Sequence, residues 1–218
     1  MGGSIKRVYL WLKRLLDIIV SFMGIILLLP FFLVLIIVIK IDSPGPALFK
    51  QKRFGIHNKY FYMLKFRTMR VNSPEDIPTH LFENSDIYIT RVGKFLRKMS
   101  LDELPQIWNI FIGKMSIIGP RPALWNQWDL IKEREKYNVN SIRPGLTGWA
   151  QINGRDEISI EAKAKLDGEY FRELGLWMDL KCLYGTVKRV IKGDGIVEGK
   201  RLVAGENERI DENKPISK

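Results

Sequence analysis

Ser100-Leu101-Asp102-Glu103 is the stretch of this sequence best suited to chemistry. Two carboxylates stand side by side where an apolar pattern of helical spacing begins, with Leu104, Ile107, Trp108, Phe111 and Ile112 on one face and Gly113 as the stop. The spacing predicts a helix from Ser100 to Ile112. Ser100 and Glu103 match a capping box, and acids favour the first helical turn, so the motif by itself also has a purely structural reading. The same position suits a nucleophile. The helix dipole and free N–H groups stabilise a carboxylate there, phosphate groups favour the same place, and carboxylates can attack phosphorus to give an acyl phosphate. Successive helix residues diverge by about 100°, so Asp102 and Glu103 would take different roles, one attacking while the other helps hold a cation. Mg²⁺ fits such a pair, because it takes one or two carboxylates together with substrate phosphates.

Cations for a phosphate are at hand. Arg97, Arg121, Arg143 and Arg155 lie near the two acids or in Gly/Pro-rich turns, and guanidinium groups grip phosphate bidentately. Taken singly, each is an ordinary surface arginine. Lys65 and Arg67 are read the same way, as a solvated strand face. Trp149 could stack on a base or pack in the core. The two histidines, His57 and His80, are far apart, which argues against a histidine metal site. Cys182 is the single cysteine, so no internal disulfide forms and the thiol reads as a small core residue.

The element that would carry these groups to their place of work is an apolar run at residues 18–39, broken only by Ser21, Gly24 and Pro30. As a helix it is roughly 33 Å long, enough to cross a bilayer core. Two features make it more than a plain anchor. Pro30 removes a backbone hydrogen bond near the middle and bends the helix. Lys6, Arg7, Lys13 and Arg14 precede the run, and Lys40, Lys50, Lys52 and Arg53 follow it. Positive charge marks the cytoplasmic side, and charge at both ends suits a re-entrant helix. A spanning helix stays open on these residues. Asp17 and Arg14 are spaced to pair at the boundary.

Beyond a turn at Ser43–Pro46, residues 47–69 alternate aromatic and basic residues around a break at Gly55–Lys59, which predicts a β-hairpin. Residues 71–90 read as a loop, 119–122 as extended, and the chain up to Lys136 as a helix. Residues 142–155 read as a Gly-rich loop with short extended pieces, and 158–173 as a helix. In 176–192, Leu176, Leu180, Leu183, Val187 and Val190 share a face; a helix packed on the core is expected, with an interfacial membrane helix as the alternative. The tail after Gly193 is polar and charged and reads as disordered. The domain pattern expected is a membrane helix at 1–42, a catalytic domain at 43–195 and a tail at 196–218.

The chain carries 35 Lys+Arg against 24 Asp+Glu, a net charge of +11. That calls for a polyanionic partner: anionic lipid, nucleic acid or a phosphorylated substrate. No nucleic-acid motif appears, so a membrane-tethered nucleic-acid binder and a non-enzymatic membrane module stand as the alternative readings. A glycosidase fits poorly, since adjacent acids on a helix cannot flank a glycosidic bond at the separation of about 5 Å or more that it needs.

These pieces together resemble the small monotopic phosphoglycosyl transferases of bacteria, the initiating enzymes of capsule, exopolysaccharide and glycoprotein glycan assembly. The resemblance runs from about Lys13 to Gly195. It rests on KRLLD (13–17), the Pro30 helix, SPGPALFKQKRFG (43–55), KFRTM (65–69), RKMSLDELPQ (97–106), MSIIGPRPAL (115–124) and RPGLTGWAQINGR (143–155), in family order. It implies an α/β, mostly helical monotopic membrane protein with a small β-hairpin, seated on the cytoplasmic face of the bacterial inner membrane by a re-entrant helix. It implies a UDP-sugar donor and a polyprenol phosphate acceptor, undecaprenyl phosphate, with Mg²⁺ as cofactor, no nucleic acid, and room for a homodimer. Asp102 would be the nucleophile of an Asp-Glu dyad, attacking the β-phosphorus, releasing UMP and carrying a covalent sugar-phosphate. Glu103 would assist with Mg²⁺. Arg97 would position phosphate, Arg121 and Arg155 would lie near the nucleotide, and Lys65 also matches. One departure is Leu29-Pro30 at the membrane kink, where relatives often have Ser-Pro. The chain also looks like the minimal type, without the extra membrane segments of larger members. PALWNQ (122–127) is more like capsular members acting on deoxy N-acetylamino sugars.

Overall fold

The computed structural model describes residues 3–73, 87–154 and 158–192. The expected loop at 71–90 lies largely outside them, as do Arg155 and the tail. The described chain is mostly helical, with one small antiparallel hairpin and a long apolar helix at its start.

That first helix, α1, runs unbroken from Gly3 to Asp42 with Pro30 inside it. Lys6–Asp42 is long and apolar enough to cross a membrane, with a mean hydropathy of 3.2 over its most apolar stretch. Its two sides differ. Asp17, Ser21, Leu35 and Ile39 are buried, and Gly24, Ile25, Leu28 and Phe32 between them are half-buried. These positions recur every three or four residues, so they form one stripe along the whole helix. Trp11, Leu15, Leu27, Val34 and Ile41 on the opposite side are exposed. Both ends of α1 are tied to the body of the protein. Lys6 Nζ donates to the Phe171 carbonyl (3.2 Å), and Asp42 Oδ2 accepts from the Val92 N–H (3.2 Å). The helix therefore lies along the rest of the molecule from end to end.

Arg14 and Asp17 do not take each other as hydrogen-bond partners. Arg14 donates to the carbonyls of Ile110 (2.6 Å) and Phe111 (2.7 Å), and Asp17 accepts from the Ile117 N–H (3.0 Å). A helix C-terminus leaves unpaired carbonyls, and an arginine fork donates to two of them at once.

The hairpin is β1 (Leu48–Phe54) and β2 (Tyr60–Phe66), paired in register from Leu48↔Phe66 to Phe54↔Tyr60. The turn is made possible by His57 and Asn58 in the left-handed region. Phe61 and Met63 face inward against Ile110 and Met115, while Tyr60 and Tyr62 stay exposed. Each such buried side chain contributes roughly 1.5–3 kcal/mol relative to exposure.

Helix α2 (Arg91–Lys98) is capped by Thr90, whose side chain accepts from the Gly93 N–H. The chain then departs from the sequence reading. No continuous helix covers 100–112. Leu101–Glu103 forms a single 3₁₀ turn, and α3 begins only at Gln106 and ends at Phe111. Pro105 is the cause: it starts a helix readily but lacks the N–H that continuation from the turn would use. The capping box is absent too, since Ser100 has φ 54° and its side chain caps nothing.

Strand β3 (Ser116–Ile118) pairs in parallel with β4 (Gly145–Thr147), a pairing the sequence reading lacked. Helix α4 (Trp128–Glu135) connects them, and α5 (Trp149–Ile152), α6 (Ile160–Arg172) and α7 (Leu176–Lys192) follow. Arg134 of α4 and Asp167 of α6 form a buried ion pair at 2.6 Å. Trp149 packs against the Tyr170–Leu174 core and donates its indole N–H to Glu169 (3.1 Å).

Helix α7 turns the other way from expectation. Leu176, Leu180, Leu183 and Val187 are exposed, whereas Met178, Asp179 and Cys182 are buried. Asp179 decides this, because Tyr9 (2.6 Å), Tyr170 (2.7 Å) and Lys13 all meet its carboxylate. A buried carboxylate must keep its partners, so the apolar stripe is turned out. Together with the outer face of α1, with Trp108 of α3 and with Ile112 just after it, it leaves a large exposed apolar surface of the kind that marks a membrane or partner contact.

Candidate active site

Four segments converge around Asp102 and Glu103. Strand β2 brings Lys65. It is anchored to α3 by Asn109, which accepts from the Leu64 N–H (2.9 Å) and donates to the Tyr62 carbonyl (2.8 Å). Helix α2 brings Arg97. The left-handed Ser100, whose N–H donates to the Arg97 carbonyl (3.0 Å), folds the 3₁₀ turn back against it. The segment after β3 brings Arg121. It is fixed by a close backbone crossing: Gly119 N–H donates to Thr147 O (2.7 Å) and Gly145 N–H to Pro120 O (2.9 Å). A Cβ on Gly145 would lie 2.1 Å from the Gly119 nitrogen, so only glycine allows this approach.

The two acids end up in unlike surroundings. Glu103 Oε1 accepts from both Lys65 Nζ (2.8 Å) and Arg121 Nη2 (2.7 Å). Burial alone would raise its pKa, but the charges and hydrogen bonds of Arg121 and Lys65 hold the carboxyl well below the usual glutamate range. Asp102 makes no hydrogen bond or ion pair of its own among the described residues. Burial raises its pKa, with Glu103 adding repulsion and Lys65, Arg97 and Arg121 offsetting part of the rise. Burial also lowers the Lys65 ammonium, against the pull of Glu103.

Chemically, this separates the roles. Glu103 is spent on two cations and is a poor nucleophile. Asp102 keeps its lone pairs, and its raised basicity favours attack on an electrophile held by the surrounding cations. The donor set also fits a hard divalent cation under one condition. Lys65, Arg97 and Arg121 outnumber the two acids, so the cation's charge needs a polyanion such as a diphosphate beside it. That is how Mg²⁺ ordinarily binds, through one or two carboxylates and substrate phosphates. No cluster of three or more His, Cys, Asp or Glu residues forms a cage among the described residues.

Of the residues singled out from sequence, the structure gathers Asp102, Glu103, Lys65, Arg97 and Arg121. Lys65 is not a solvated strand residue, and neither is Arg67, which is buried and bonded to Ser43 and Pro44. Arg143 is not brought to the dyad by any of its bonds. Its Nε donates to Gly113 O (3.0 Å) beside Arg14, at the end of α3. Arg155 lies outside the described residues. Two residues were missed. Arg53 acts electrostatically on Lys65 and bonds Gln51 and Pro122. Thr68 accepts from Arg97 Nε (2.8 Å). Arg53 was findable, because the alternation of a hairpin puts it on the same face as Lys65.

The long, half-exposed apolar helix points to a membrane-associated protein, and the cations gathered around the two carboxylates suit phosphate groups. The chain belongs to the bacterial sugar transferase family, which matches residues 8–193. It is 40% identical over 183 residues to the UDP-glucose:undecaprenyl-phosphate glucose-1-phosphate transferase of Escherichia coli (strain K12), covering 81% of this chain and 39% of that protein. It is 37% identical over 195 residues to the UDP-N-acetylgalactosamine-undecaprenyl-phosphate N-acetylgalactosaminephosphotransferase of Aeromonas hydrophila, covering 86% and 45%. It is 37% identical over 193 residues to the uncharacterized sugar transferase EpsL of Bacillus subtilis (strain 168), covering 88% and 94%. The chain thus spans under half the length of the two relatives whose names state a sugar, and nearly all of the third.

Proposed function

We propose that this protein transfers a sugar-1-phosphate from a UDP-sugar to a polyprenol phosphate, undecaprenyl phosphate, and so starts a surface glycan. The observation that carries this is the asymmetry of the dyad: Glu103 is held in two ion pairs while Asp102, beside it, has none among the described residues. An Asp102 carboxylate oxygen attacks the phosphorus that bears the sugar. The bond from that phosphorus to the bridging oxygen breaks, and UMP leaves with the electron pair. An oxygen of polyprenol phosphate then attacks the same phosphorus, the aspartyl oxygen leaves, and the carboxylate is restored with a diphosphate-linked sugar as product. Arg97, Lys65 and Arg121 neutralise charge on the phosphates and hold them in line. Arg155 keeps its proposed place near the nucleotide. Mg²⁺, held by Asp102 and Glu103 with diphosphate oxygens, would neutralise the diphosphate and the departing phosphate.

The site works at a membrane surface. The bonds that tie α1 to the body at Lys6 and at Asp42, with the buried stripe between them, support a monotopic seat on the cytoplasmic leaflet. A helix that crossed the bilayer would have to carry one end about 30 Å away from the body. The outward stripe of α7 supports the same seat. The names of relatives include glucose and N-acetylgalactosamine donors, and PALWNQ suggests adding deoxy N-acetylamino sugars. The test is UMP release by nanodisc-embedded protein given undecaprenyl phosphate, Mg²⁺ and this panel of UDP-sugars. Release from one or two donors, abolished by chelation, is expected. No release from any of them would overturn the proposal.

A further inference from the structure

We propose that Thr68 is the positioning residue for Arg97 in this reaction, an inference that rests on the function proposed above. Arg97 Nε donates to Thr68 Oγ1 at 2.8 Å, and the Arg97 charge acts on Asp102. A guanidinium grips phosphate only in its own plane, so a bond at Nε that fixes this plane sets the direction of the whole fork.

Thr68 is a firm reference point. It is buried, and its carbonyl accepts from the Thr90 N–H (3.0 Å). Gly93 of α2 presses on the same carbonyl so closely that a Cβ there would lie 2.0 Å from the oxygen. Gly93 and Arg97 are four apart and share a face of α2. The preceding residue, Arg67, is pinned where α1 ends, with Nη1 on Pro44 O (2.6 Å) and Nη2 on Ser43 O (2.6 Å). Lys65, three residues before Thr68, reaches Glu103. One short segment therefore holds two of the cations that act on the dyad, Lys65 directly and Arg97 through the Thr68 hydroxyl.

A purely structural Thr68 would act through its backbone and its shape. Thr68→Val keeps both and removes only the hydroxyl; Thr68→Ser restores it. The measurements are UMP-release kinetics in nanodiscs, the thermal midpoint, and water exchange of the Arg97 Nε–H followed by ¹⁵N NMR. For Thr68→Val, a fall in kcat/KM of about tenfold is expected, the size of one hydrogen bond to a charged group. The midpoint should stay within about 3 °C, and the Arg97 Nε–H should exchange faster. Thr68→Ser should recover to within about threefold of wild type. Wild-type kinetics in Thr68→Val, or equal loss in Ser and Val, would overturn the proposal. If the wild-type protein releases no UMP, the proposed function fails, and the Arg97 Nε–H still decides: unchanged exchange in Thr68→Val overturns the hold, faster exchange supports it.

Discussion

Asp102 and Glu103 are neighbours in the chain, yet their carboxyls are pushed in opposite directions, Asp102 up by burial and Glu103 well down by Arg121 and Lys65 despite burial. A pair split in this way divides labour, one group for chemistry and one for structure and charge.

The split predicts the pH profile. In the proposed mechanism only the Asp102 anion attacks, so kcat/KM should fall in acid as pH drops through the Asp102 value, which lies above the ordinary aspartate value of about 3.9. On the alkaline side Lys65 should lose its proton below the ordinary lysine value of about 10.4, and with it one of Glu103's partners. The Glu103 value is depressed, so its ion pairs stabilise the fold above about pH 4.3 and are lost as pH falls toward the folded value. UMP release and thermal midpoint against pH check the two signs separately.

Glu103→Gln should damage fold and activity together. Its oxygen meets two cations in a mostly buried site, where Glu103 is 17% exposed and Lys65 16%. Removing the charge leaves Lys65 and Arg121 facing each other. The loss should be on the order of 1–3 kcal/mol, less than for a fully buried pair because some solvent reaches it. Chemical denaturation in detergent reads the loss, and Lys65→Met in the Glu103→Gln background should cost less than it does alone.

The Arg134–Asp167 pair predicts a purely structural effect. Both side chains are almost wholly buried. Arg134→Met should destabilise by about 3–5 kcal/mol, because it strands a buried carboxylate. Burial already raises the Asp167 value, and losing Arg134 raises it further. The charged form is therefore the costly one, and the damage should be greater at neutral pH than in mild acid. Thermal midpoints at both pH values check this.

The proposed membrane seat predicts labelling from one side only. Cysteines placed at Ser4, in the first turn of α1, and at Lys50, beyond its last residue, should both react with an impermeant thiol reagent from the cytoplasmic side. Reaction of one from each side would mean that α1 spans the bilayer. The natural Cys182 should stay silent, because it is buried and burial and Asp179 push its thiol up to about 12.

Much of this was legible in the sequence for physical reasons. The hairpin followed from alternation and α7 from its 3.6-residue spacing, although that spacing did not tell which way the α7 stripe faces. The acid pair stood out in its motif, which alone also allowed a capping box, and the family resemblance singled out Asp102. What the sequence hid depended on partners distant in the chain. Asp179 turned the α7 stripe outward because Tyr9, Lys13 and Tyr170 meet it. Pro105 and the left-handed Ser100 broke the helix at 100–112 locally, a signal present but outweighed by the apolar spacing. The parallel β3–β4 pair has three-residue strands, too short for a pattern to mark them. Arg143 shares its sequence setting with Arg121, and only the fold sends one to Glu103 and the other to Gly113.

The most direct test is the mass of the protein itself after rapid mixing with its UDP-sugar and Mg²⁺, without polyprenol phosphate, followed by an acid quench and peptide mapping. The account predicts one added sugar-phosphate on the peptide that contains Asp102, one UMP released per adduct, and neither with Asp102→Asn. An Asp102→Asn protein that releases UMP at the wild-type rate, or an adduct on another residue, would contradict it.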